Sequence, residues 1–93
     1  MATEVSVKIT GPSRDAVLSW QGASKALSHA EGKYSCRFDV LPGKYTYSIV
    51  VFGAPGEKWK ALVTTDDLER EHSGHMSPAG VDTTGDTGLE IKD

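Results

Sequence analysis

Between Tyr34 and Phe52, apolar side chains recur at every second position of two runs, and this period of two constrains the fold more than any other feature of the chain. Tyr34, Cys36, Phe38 and Val40 fall on one face of an extended run and Ser35, Arg37 and Asp39 on the other, because successive side chains of a strand point to opposite sides. In a second run Tyr45, Tyr47, Ile49 and Val51 alternate with Thr46, Ser48 and Val50. Leu41-Pro42-Gly43 between them supplies a fixed φ followed by a residue that tolerates positive φ, so the two runs are expected to form a β-hairpin. A hairpin with one apolar face needs a second layer to cover it.

The flanking sequence offers that layer. Glu4–Thr10 places Val5, Val7 and Ile9 on one face, and Asp15–Trp20 does the same with Ala16, Leu18 and Trp20. Gly11-Pro12-Ser13 separates these two runs. Ala23–Ala30 has few β-branched residues and is expected to be a short edge strand. Glu31-Gly32-Lys33 and Gly53-Ala54-Pro55-Gly56 are turns into and out of the central runs. From Glu57 to Thr65, Trp59, Ala61 and Val63 face inward, opposite Lys58, Lys60, Leu62 and Thr64. Asp66–Arg70 reads as one helical turn around Leu68. His72–Gly88, rich in Gly, Ser, Thr and Asp, reads as a loop, with a flexible polar segment at about residues 69–88. Leu89 and Ile91 resume the alternation as a last strand, assisted by Val81 across a turn at Thr84-Gly85-Asp86. Short strands at such spacings, with no helical period, point to an all-β sandwich in one domain spanning residues 1–93.

Composition narrows the function classes. A net charge of −3 argues against a nucleic-acid backbone as partner. No run reaches the length of a membrane helix, and Met1-Ala2-Thr3-Glu4 lacks the marks of a secretory signal, so a cytoplasmic protein with no membrane partner is expected. Cys36, the single cysteine, sits in the inward row and reads as a buried structural thiol. Glycine-rich phosphate loops, nucleophile elbows and zinc-protease helices are all missing from the sequence. The expectation is therefore a binding module with no enzymatic activity and no cofactor.

Three groups of residues are candidates for binding. Trp59 and Trp20 lie beside turn-prone, polar sequence, where an exposed indole stacks on the C–H face of a sugar while Gln21, Lys58 and Lys60 bond its hydroxyls. Against this, Trp59 falls on the inward row, and a sandwich commonly buries a tryptophan. Val50, Phe52 and Leu62 form an outward apolar row suited to another protein, as are unpaired strand edges. His72 and His75, near Asp66, Asp67, Glu69 and Glu71, form a weak candidate metal site.

The stretches Gly32-Lys33-Tyr34, Phe38-Asp39-Val40-Leu41-Pro42-Gly43-Lys44-Tyr45-Thr46-Tyr47 and Val50-Val51-Phe52-Gly53, with Trp59, resemble the early-set immunoglobulin-like carbohydrate modules of glycogen-branching enzymes and AMP-activated kinase β subunits. The resemblance covers roughly residues 4–65. It implies an immunoglobulin-like sandwich of about seven strands and an α-glucan ligand held at Trp59. Phe52 stands where that family has an aspartate, and the turn to Trp59 is longer. The same Leu-Pro-Gly turn is similar to that of transthyretin-like and collagen-adhesin B-type domains, spacers or adhesive modules, which imply the same sandwich and no sugar. Oligosaccharide and protein thus both stand as expected ligands, at Trp59, Trp20, Lys58, Lys60 and Phe52.

Overall fold

The alternating runs become strands, and a computed structural model, describing residues 2–66 and 68–92, shows how they are ordered. In chain order they are β1 (Thr3–Thr10), β2 (Asp15–Trp20), β3 (Ala23–Lys25), β4 (Ser28–Ala30), β5 (Lys33–Val40), β6 (Gly43–Phe52), β7 (Lys58–Thr64), β8 (Glu69–His75), β9 (Val81–Thr83) and β10 (Thr87–Ile91). All pairings are antiparallel. The first sheet runs β4-β5-β1-β7-β8, and the second runs β10-β6-β2-β3 with β9 also on β6. The fold is thus an all-β sandwich, with ten strands among the described residues rather than about seven.

The inward rows read from the sequence meet between the sheets. Val5, Val7, Ile9, Leu18, Ile49 and Val51 are fully buried, and Trp20, Tyr34, Tyr47, Trp59, Ala61 and Val63 complete the centre of the core. β-branched and aromatic side chains favour this pleated, half-buried setting, and their burial supplies most of the driving force for the fold.

The connectivity differs from the expectation at the central runs. β5 and β6 do not form a hairpin: β5 pairs with β1 and β4, whereas β6 pairs with β2, β9 and β10 in the other sheet. Leu41-Pro42 carries the chain from one sheet to the other. Alternation says which face of a strand is buried, and a strand in either sheet turns that face to the same core. Ala23–Ala30 divides in a similar way. β3 lies on the second sheet and β4 on the first, so Ala23–Ala30 forms a strap across one side of the sandwich.

The C-terminal third is more ordered into strands than its composition suggests. Instead of a helical turn at Asp66–Arg70, the Thr65 amide donates to the Leu68 carbonyl at 2.8 Å, and β8 begins at Glu69. Within the segment read as a loop, β8 pairs along the whole of β7 and β9 pairs with Val50–Phe52. Val81 and Leu89 are not paired across a turn. β9 and β10 instead follow one another along the same side of β6, and the Thr84 amide bonds the Ile49 carbonyl between them.

Candidate functional site

Each expected site residue has a definite place in this framework. Trp59 and Trp20 are only 4% and 5% exposed, so neither indole offers an open stacking face. The Trp59 Nε1–H donates to Asp82 Oδ2 at 2.8 Å, which ties β7 to β9 across the core. Gly74, opposite Trp59 in the β7–β8 register, makes that bond possible: a Cβ there would lie 2.5 Å from Asp82 Oδ2 and 3.1 Å from Trp59 Nε1. Trp20 belongs to an aromatic cluster, with ring centroids 4.9 Å from Phe38, 5.2 Å from Tyr45 and 5.9 Å from Tyr47. The expectation of exposed tryptophans is therefore corrected, since each sits on the inward row of its strand.

Lys58 and Lys60 do come together with Trp59. With Thr10, Ser73 and His75 they line a shallow groove of about 440 Å³ beside the Gly11 turn. Gly11 has φ of 109° and approaches the Lys58–Trp59 backbone so closely that a Cβ would collide with it. Lys60 lies 4.0 Å from Glu71, both side chains being well exposed, so the pair adds little stability.

His72 and His75 are not brought together. Three residues apart in β8, they lie on opposite faces of a strand, with His72 half-buried on the inward row and His75 exposed on the outward one. His72 Nε2 is instead 2.7 Å from the Tyr47 hydroxyl. Burial and the nearby Arg70 charge push the His72 pKa below its ordinary value, while burial raises that of Tyr47. Among the described residues there is no group of three potential metal-ligating side chains; Asp67, part of the expected acidic cluster, lies outside them. Val50, Phe52 and Leu62 do not form one row either. Val50 and Phe52 are on the outer face of the second sheet and Leu62 on the outer face of the first, each half-buried.

A different feature emerges at the strap. β4 pairs with only Lys33–Ser35, so Cys36–Val40 of β5 has β1 on one side and, among the described residues, no strand on the other. In such a stretch alternate backbone N–H and C=O groups face outward, ready to bond another chain. Cys36, Phe38 and Val40 are half-buried on its inward row, and Arg37 and Asp39 are exposed on its outward row. Lys25 from the strap holds its ammonium 4.8 Å from the Phe38 ring centre. Burial raises the Cys36 pKa, an effect that the charge of Lys25 partly offsets. Just beyond Val40, Leu41 is 65% exposed, the one large hydrophobic side chain so placed among the described residues.

β8, at the opposite side of the first sheet, is protected differently. Its inward row is Arg70, His72 and Gly74, with Arg70 donating to the Gly88 carbonyl and His72 bonded to Tyr47. An inward-pointing charge such as that of Arg70 discourages strand addition. Sequence reading missed the open stretch of β5 because it assigned β6 as its neighbour. The signal that could have found it was the brevity of Ala23–Ala30, too short to cover two strands.

Comparison with family models, curated proteins and solved structures returned no match for the chain. Among the described residues no helix is long and apolar enough to cross a membrane.

Proposed function

We propose that this protein is a non-enzymatic protein-interaction module that accepts an extended segment of a partner along Cys36–Val40 of β5. The observation that supports the reading is the partial cover given by β4, which among the described residues leaves five residues of β5 with one free ladder side next to exposed Leu41. Main-chain hydrogen bonds would supply affinity, and alternate side chains would supply selectivity through Phe38 and Val40 on one face and Arg37 and Asp39 on the other. An immunoglobulin-like classification is part of this reading, in which β5 and β6 face each other across the core as strands of opposed sheets.

The test is a selection of displayed extended peptides against the protein, with the best binder titrated into isotope-labelled protein. Amide shifts concentrated at Cys36–Val40 are expected. Shifts confined to other strands would sink the reading.

A second reading is favoured by the groove that holds Lys58, Lys60 and the backbone flank of Trp59: an oligosaccharide bound through hydroxyl contacts. It predicts that millimolar α-glucan oligosaccharides change tryptophan fluorescence and shift Lys58–Lys60 amides. An unchanged spectrum would remove it.

A further inference from the structure

The open stretch of β5 has a property that chain pairing alone does not require: it is complementary to itself. We propose that Cys36–Val40 pairs antiparallel with Cys36–Val40 of a second copy about a two-fold axis at Phe38, joining the two first sheets into one. The proposal rests on strand addition at this edge and names the partner as this same chain.

The window left by β4 runs from Cys36 to Val40 and is centred on Phe38. Antiparallel pairing about that centre sets Arg37 opposite Asp39 of the second copy, and Asp39 opposite its Arg37. On the inward row it sets Cys36 opposite Val40 and Phe38 opposite Phe38. Both outward contacts are then opposite-charge pairs, and the inward contacts are apolar, the combinations that stabilise neighbouring strands. An isologous interface must meet this requirement at every position, because each contact occurs twice.

The single copy leaves these charges poorly served. Across the β1–β5 ladder Asp39 faces Glu4, a like charge, and Arg37 faces Ser6. Among the described residues neither Arg37 nor Asp39 makes an ion pair. A second copy gives both an opposite charge on the side that β1 does not occupy. The register is also limited: sliding the copies to lengthen the overlap would drive each β4 into the other chain's β5, and sliding them two residues the other way would set Asp39 against Asp39. In the symmetric register, β4 of the second copy comes level with Leu41-Pro42, where the chain leaves for the other sheet, and exposed Leu41 gains a covering neighbour. β8 lacks this property, since pairing it with itself about His72 would set Arg70 against Gly74 and Glu71 against Ser73.

Sedimentation equilibrium of the full chain from micromolar to millimolar concentration tests the proposal, with circular dichroism confirming that each variant keeps the fold. A monomer–dimer equilibrium is expected. Arg37→Asp and Asp39→Arg each turn both cross-copy pairs into like-charge pairs, and each should weaken the dimer by about tenfold. The double variant R37D/D39R restores opposite charges and should recover most of that loss. A chain that stays monomeric at millimolar concentration, or a dimer indifferent to the single variants, overturns self-pairing, as does a double variant no better than the singles. Peptide-induced shifts at Cys36–Val40 in a strictly monomeric protein would reject the second copy as partner while strand addition stands. Failure of such shifts together with a charge-indifferent dimer would reject both.

Discussion

At Gly74 the side chain is absent because two other groups need the space. Trp59 Nε1 and Asp82 Oδ2 meet at 2.8 Å in front of its Cα, and a methyl group there would press on both. Gly74→Ala is expected to cost about 1–3 kcal/mol, through overpacking and displacement of the bond. Asp82→Ala leaves the indole N–H without its acceptor and should cost about 1–3 kcal/mol by the second route alone. Urea unfolding of both variants measures this, and equal stability to the parent would show that the contact is dispensable. His72, two residues earlier on the same row, makes a pH-dependent contribution. Its folded pKa lies below the unfolded value of about 6.5, because burial and Arg70 disfavour the imidazolium. In the window beneath that value the unfolded chain binds more protons, so this contribution falls as pH is lowered. The thermal midpoint of the parent should therefore drop more steeply below pH 6.5 than that of His72→Gln, and parallel curves would exclude the effect.

At the scale of the strand, the inward rows of β1, β2 and β7 were legible in the sequence because each carries an apolar residue at every second position, although Val17 and Leu62 interrupt the polar row opposite. β8 was not, because its inward row is Arg70, His72 and Gly74, held by the Gly88 carbonyl, the Tyr47 hydroxyl and the Trp59–Asp82 pair rather than by apolar contact. A strand whose interior partners are polar has the composition of a loop. Pairing was less legible than burial: nothing in Tyr34–Phe52 distinguishes a hairpin from two strands facing each other across a core. The candidate edge was illegible for the same reason, since an edge is defined by which strands fail to reach it. The tryptophans were correctly placed on inward rows, and their burial follows from that placement. Trp20 packs on Phe38, Tyr45 and Tyr47, and so links β2 and β6 in one sheet to β5 in the other. Trp20→Ala should cost about 3–5 kcal/mol in chemical denaturation. A loss below about 1 kcal/mol, the range of ordinary surface changes, would show that the cluster does not hold the sheets together.

Across the whole molecule, stability is expected to grade from the centre of each sheet to the strap. β1 lies between β5 and β7, and β6 lies between β2 and the β9–β10 pair, so most of the backbone of both is paired on two sides over the buried core. β3 and β4 are three residues each, and every residue of β4 is exposed. Local opening requires breaking only the contacts of the part that opens, so the strap should open without unfolding the sandwich. Opening it breaks the stack of His29 in β4 on the Tyr34 ring, with centroids 4.1 Å apart, and exposes to solvent the Tyr34 hydroxyl, which has no hydrogen-bond partner among the described residues. Amide hydrogen exchange by NMR should find the slowest amides in β1 and β6 and rapid exchange through Ala23–Ala30. Within Cys36–Val40, amides directed away from β1 should exchange rapidly in dilute protein and slow as concentration rises and the two-fold pairing forms. Equal protection of β4 and β1 would contradict the gradient, whereas concentration-independent exchange at Cys36–Val40 would count against the dimer and leave the gradient intact.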